Sequence, residues 1–276
     1  MNSAQNAAKY VALALGILLA AGIIAAIISA LFGISAFFGL WSSGEPELTD
    51  FSQSYEDISE IDIYSFAGEV RVLPGDEIMV EAVNVYEGFS CTAKGDKLSI
   101  KNRNRVGSNV FKWGKNSHPI ITVYLPDDLL LSKLRIENGA GKISAESINT
   151  YQFILDSGAG ACYIDSLEAE MAELKLGVGE VSIESAVVDV LDLEAGVGRF
   201  YMKGRLNGDA KIEGGVGEAV LVLLNEPDEH SFDIEGGIGA VEIDGNKVSQ
   251  GRIRATNPIG VIDIEGGIGK ISIDYE

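Results

Sequence analysis

Residues 101–118 concentrate the groups best suited to holding an anion. Lys101, Arg103, Arg105, Lys112 and Lys115 bring five positive charges into 18 residues that contain no acid, and Phe111 and Trp113 stand among them. Ammonium and guanidinium groups hold phosphate or carboxylate through charge-assisted hydrogen bonds, and basic clusters also settle on anionic lipid. With rings available to stack on sugars, the matching ligands are an anionic polymer, a glycan or an anionic lipid surface. A solvated hairpin loop whose cations balance acidic neighbours has the same composition, and the sequence leaves both readings open.

Other chemistry is sparse. Two histidines, His118 and His230, and two cysteines, Cys91 and Cys162, match no nucleophile–base motif and are too few for a four-ligand zinc site or a disulfide scaffold. Carboxylates recur at Glu137, Asp156, Glu213, Glu235 and Glu265. A pair at the right separation could hydrolyse a glycoside, but a ladder of like charges more often marks a solvated face. No catalytic residue, cofactor or metal site is assigned. The net charge of −20 also disfavours nucleic acid as a partner.

The carboxylates sit beside the feature that must position everything else. A phrase with two glycines one residue apart recurs at Gly139/Gly141, Gly158/Gly160, Gly177/Gly179, Gly196/Gly198, Gly215/Gly217, Gly237/Gly239 and Gly267/Gly269. The second glycine advances in four steps of 19, then by 22 to Gly239 and 21 to Gly260, with a half-step of 9 to Gly269. A fixed period near 20 marks a stacked repeat. Counting from the second glycine, position −5 is Ile136, Leu155, Leu174, Leu193, Ile212, Ile234 and Ile264. Positions +2 and +4 are apolar throughout, and +7 is a weaker column of Ile148, Leu167, Ala186 and Leu224, broken by Arg205 beside Leu206. Spacing by two places +2 and +4 on one face of a strand, and glycines let the chain turn a corner. The aliphatic residue between the glycines is expected to point into the core.

Gly-Gly-x-Gly invites a calcium-binding or nucleotide-binding reading. The aspartate that calcium repeats need is replaced by Ala219, Val241 and Ile271, and the dinucleotide fingerprint lacks its third glycine and helix. The expected fold is all-β, a single-stranded parallel β-helix (β-solenoid) with coils of about 19–22 residues. Ile61–Val72 reads as an early degenerate copy, and the acidic close at Ile273–Glu276 as a stop signal. Cys162 lies in the +2 ladder and is expected to be buried and unpaired.

Tyr10 to Gly44 carries no charge, and Val11–Leu40 is apolar almost throughout. Thirty helical residues reach roughly 45 Å, beyond a hydrocarbon core of roughly 30 Å, and the run is too long for a cleaved signal peptide. The sequence therefore predicts a signal-anchor. Residues 1–9 form a cytoplasmic tail, 10–41 a single transmembrane helix, 42–53 a polar linker, and 54–276 an extracytoplasmic β-solenoid. Within the last, 54–133 are irregular first coils and 134–276 the regular repeats. Lys9 before the span and Glu45, Glu47 and Asp50 after it set this orientation.

The apolar N-terminus, Ile61-Asp-Ile-Tyr-Ser-Phe-Ala-Gly-Glu-Val-Arg-Val72, Val123-Tyr-Leu-Pro126, Leu134–Ile143 and the later glycine phrases resemble the bacterial "putative adhesin" domain-of-unknown-function family of envelope proteins. The resemblance covers roughly residues 55–276. It implies a right-handed β-helix at the cell envelope and supplies no catalytic residues. The resulting expectation is a non-enzymatic, membrane-anchored module that contacts envelope polymers, a glycan or a membrane protein. Alternatives are an accessory of an envelope-stress response acting through a membrane partner and, more remotely, a solenoid polysaccharide-active enzyme.

Overall fold

The computed structural model describes residues 48–86, 88–103 and 118–276. They belong to one compact unit, Glu47–Arg103 with Ser117–Glu276; the second, Met1–Pro46 with Asn104–Asn116, lies outside the described residues, and with it the expected anchor at 10–41. The described residues are all β, joined in one 17-stranded sheet. Among them no helix is long and apolar enough to cross a membrane.

The regular middle follows from the 19-residue period. β8 (Leu131–Glu194) is a continuous extended run of 64 residues that winds through three glycine phrases. It is followed by β9 (Val197–Leu206), β10 (Ala210–Glu213) and β11 (Val216–Leu223). Pairing is parallel and joins equivalent residues, with Gly179 opposite Gly198, Gly198 opposite Gly217, and Leu193 opposite Ile212. Position −5 is buried in every rung, as is +2. Each fully covered Leu or Ile contributes about 1.5–3 kcal/mol.

The second glycines have no substitute. Gly160 and Gly179 have φ of +145° and +143°, and a Cβ on Gly179 would lie 1.7 Å from the carbonyl oxygen of Gly160. The side-chain-free corner lets neighbouring rungs approach this closely.

Two expectations inside the repeat are corrected. The residue between the glycines faces outward: Val178 is 48% exposed and Ile238 is 66% exposed. Two places earlier Asn138 and Ser157 still point inward; alternation holds to that point and then changes phase at the corner, where the second glycine has positive φ. In the weak +7 column Leu224 is exposed, and Leu223 and Asn225 turn inward in its place. β9 does the same with Leu206, leaving Arg205 exposed, because the register shift between Ile183 and Ala186 of β8 has no counterpart in β9.

At the start, β2 (Glu60–Ser65) and β3 (Gly68–Pro74) form the rung beside the first regular one, with Ile63 opposite Ile136 and Gly68 opposite Gly141. The next rung outward comes later in sequence: β6 (Lys97–Asn102) is parallel to β2, and β7 (Ile120–Leu125) to β3. Antiparallel strands then close this end. β5 (Ser90–Lys94) lies on β6, β4 (Ile78–Tyr86) on β7, and β1 (Leu48–Tyr55) on β4. Residues 48–53, expected in the linker, are therefore strand. Phe51 anchors them by packing its ring 5.2 Å from that of Phe89.

The other end mirrors this exchange. β16 (Gly260–Glu265) and β17 (Ile268–Tyr275) come last in the chain, yet they sit between the Gly217 rung and the rung of β12 (His230–Glu235) and β13 (Ala240–Ile243). Antiparallel β14 (Asn246–Val248) and β15 (Gly251–Ile253) cover that outer rung. The acidic close at 273–276 is thus interior to the ladder and stops nothing. Gly260 opens β16 and makes no corner, so the steps of 21 and 9 are one step of 30 with the cap inserted. Edge protection comes from the cap's short strands.

Candidate functional site

The sequence-derived candidate residues begin on β6. Alternation turns Lys101 and Arg103 to the exposed face and drives Asn102 between them into the interior, where it is fully buried. Neither amide atom of Asn102 has a hydrogen-bond partner. Lys101 lies opposite Tyr64 of β2 and Ser90 of β5. The guanidinium of Arg103 sits 5.2 Å from the centre of the Tyr64 ring, within cation–π range. Arg105, Phe111, Lys112, Trp113 and Lys115 lie outside the described residues.

Neighbouring cations on this face are neutralised. Lys97 binds Glu60 Oε1 and Asp62 Oδ2, each at 2.6 Å, and these partners, Asp62 first, push its pKa above the ordinary lysine value. Arg135 donates from Nε to Glu137 at 2.6 Å. Among the described residues, Lys101 and Arg103 make no ion pair. The site is thus an exposed cationic pair beside a tyrosine. Sequence reading missed Tyr64, because the contact joins strands whose pairing is invisible until the rung order is known.

The remaining groups are scaffold. Glu137, Glu213 and Glu265 face outward near Arg135 and Lys211, and Lys175 lies between Glu173 and Glu194 at 3.4 and 3.3 Å. Among the described residues no group of three His, Cys, Asp or Glu could hold a metal ion. Both cysteines are free. Burial pushes the Cys162 thiol up to about 12; Cys91, half-buried, is also raised by burial and accepts a hydrogen bond from Tyr55 Oη at 3.0 Å. His230 is buried with Nε2 3.0 Å from Leu206 O, and burial lowers its pKa. Such groups are held neutral and kept from solvent, which suits structure better than proton transfer.

A family model described as Toastrack DUF4097 matches residues 58–257. Among solved structures, a putative adhesin from Bacteroides fragilis NCTC 9343 is 15% identical, over 84% of this chain and 100% of that one, with a TM-score of 0.45. A putative cell adhesion protein from Clostridium sporogenes ATCC 15579 is 16% identical, over 83% and 100%, with a TM-score of 0.36. A putative lipid binding protein from Parabacteroides distasonis ATCC 8503 is 14% identical, over 85% and 98%, with a TM-score of 0.32. No curated protein matches the chain.

Proposed function

Given that the chain belongs to the Toastrack DUF4097 family, we propose that it is a membrane-anchored, non-enzymatic, adhesin-like module outside the cytoplasm. The apolar run at 10–41 is its single span, with the N-terminus cytoplasmic. The β domain is a right-handed, single-stranded parallel β-helix in its regular rungs. Its partner is an anionic envelope polymer or glycan. The supporting observation is the pair Lys101 and Arg103: exposed, without an ion pair among the described residues, and set against Tyr64 in a chain of net charge −20. Cations left without carboxylate partners on so acidic a surface are available to a ligand's phosphate or carboxylate. The adjoining Arg105, Phe111, Lys112, Trp113 and Lys115 extend the same chemistry along the chain.

The test uses the full chain in nanodiscs of zwitterionic lipid. Binding to purified anionic wall polymers and to neutral glycans of similar length is compared with that of a variant carrying Ser at 101, 103, 105, 112 and 115. The expected result is binding that favours the anionic polymer, weakens with salt, and is lost in the variant. Equal binding by both proteins would sink the reading.

A further inference from the structure

At the end of the stack remote from Lys101 in the pairing order, the cap carries an open groove of about 460 Å³. This is within the roughly 300–1,000 Å³ of small-molecule sites. Its floor is the outer part of β12 and β16, its sides β15 and the segment 254–259. That segment is fixed in place: Ala255 N donates to Ser231 Oγ at 3.1 Å, Asn257 N to Asp228 O at 3.3 Å, and Ile259 N to Glu229 O at 2.8 Å. The groove is therefore preformed.

Its lining has two kinds of surface. Ile259 and Val261 are 42% and 45% exposed and line the same groove, Val261 on the strand face that Arg252 and Asp233 share. Beside them stand Arg252 and Arg254. Arg252 uses Nε on Asp233 at 2.8 Å, which leaves its terminal nitrogens free, and its side chain is 71% exposed. Arg254 makes no ion pair among the described residues. Among the described residues Asp233 is the only carboxylate in the lining, so the two arginines outnumber it. Two guanidinium groups beside exposed β-branched side chains complement a ligand with a charged head and an apolar tail.

We propose that this groove binds an anionic amphiphile, an acyl chain with a carboxylate head, the head on Arg254 and Arg252 and the chain along Ile259 and Val261. A fully polar anion would leave Ile259 and Val261 wet, and a neutral hydrocarbon would leave the arginines unused. The site lies apart from Lys101 and does not depend on the envelope-contact reading.

The test is calorimetric titration of the full chain, in nanodiscs of zwitterionic lipid with empty nanodiscs as blank. The probes are octanoate, acetate and octanol, with octyl phosphate to distinguish a carboxylate head from any anionic head. Octanoate is expected to bind at least about tenfold more tightly than acetate or octanol, since each of those loses one half of the contacts. Arg254→Ser should weaken octanoate by about tenfold, with recovery in Arg254→Lys, while leaving octanol unchanged. Arg254 is exposed and makes no ion pair among the described residues, so the variant should fold as the parent does. Equal octanoate binding by parent and Arg254→Ser, or acetate binding as well as octanoate, would overturn the proposal. Octyl phosphate binding more tightly than octanoate would overturn the choice of a carboxylate head.

Discussion

The Gly160, Gly179 and Gly198 rungs and the rungs at the two ends use one phrase, yet they obey different rules of connection. In the middle, neighbours in sequence are neighbours in space, and each corner glycine presses on the one before it. At both ends the order is exchanged. The first rung in sequence, β2–β3, is covered by the second, and the last, β16–β17, is covered by the one before it. The exchange puts each terminal rung between two partners and leaves the outer edge to a segment that can fold back antiparallel. A pure repeat would end on an open parallel edge, which invites further chains. The middle supplies length; the ends supply closure.

The largest effect should come from placing a methyl group where rungs touch. Gly179→Ala puts a Cβ 1.7 Å from Gly160 O at φ +143°, so it should cost more than about 4 kcal/mol or prevent folding. Gly245 in the C-terminal cap also has positive φ (+69°) but has nothing within 4 Å of an added Cβ, so Gly245→Ala should cost only about 1–2 kcal/mol. Thermal unfolding followed by circular dichroism compares them. Similar losses would erase the distinction between middle and end.

The rung order has its own test. Ile264 is fully buried, in register with Ile212 on one side and Ile234 on the other. Ile264→Ala should therefore cost about 2–5 kcal/mol, as much as Leu193→Ala in the middle. Ile253→Ala, on the half-exposed cap, should cost less than about 1 kcal/mol. If the rungs followed sequence order, residue 264 would lie at the edge. Denaturant titration giving Ile264→Ala no more effect than Ile253→Ala would overturn the exchanged order.

The columns were legible because alternation and a 19-residue period place Ile136, Leu155, Leu174 and Leu193 on one line with no further information. The exchange was not, for a concrete reason. Ile234-Glu-Gly-Gly-Ile-Gly239 and Ile264-Glu-Gly-Gly-Ile-Gly269 are identical, so nothing in either phrase says which follows Gly217. What decides is the segment between them, long enough to fold back as a cap. Its sign was present in Asp244-Gly245, a two-residue hairpin turn with both residues at positive φ. Gly95-Asp96 marks the matching hairpin between β5 and β6. In the candidate site, Lys101 and Arg103 stood out by charge. Tyr64 did not, because it comes from a strand 37 residues earlier in register.

Polar side chains also bridge rungs, in β8 through Thr150, whose hydroxyl donates to Leu131 O at 3.1 Å, and toward the C-terminal end through Asn225. Asn225 accepts from Leu206 N at 2.9 Å and donates to Leu206 O at 3.0 Å, replacing the strand pairing where β11 stops. Asn225→Ala removes the partner of Leu206 N and leaves Leu206 O with His230 alone, so unfolding free energy should fall by about 2 kcal/mol. A loss below about 0.5 kcal/mol would mean that the loop re-forms these bonds by other means.

The smallest effect separates the regions by pH. Among the described residues His230 is the one titratable group in the buried polar set, and it lies in the C-terminal outer rung. Burial lowers its pKa from 6.5, with the hydrogen bond to Leu206 O and the nearby Glu229 carboxylate opposing; Tyr275 Oη lies 3.4 Å from Nδ1. Because the folded state protonates less readily than the unfolded chain, its contribution is complete above about pH 7. It declines as pH falls through the ordinary histidine value toward the lowered one. Glu229, held below its usual range by Asn225, adds its own loss only at more acid pH. Native-state hydrogen exchange should therefore show residues 230–235 losing protection between pH 7 and 5 relative to residues 172–193. His230→Gln should flatten that difference. A uniform loss across both regions would mean that the cap and the middle open as a single unit, and that the fold-back at the end is no weaker than the rungs it closes.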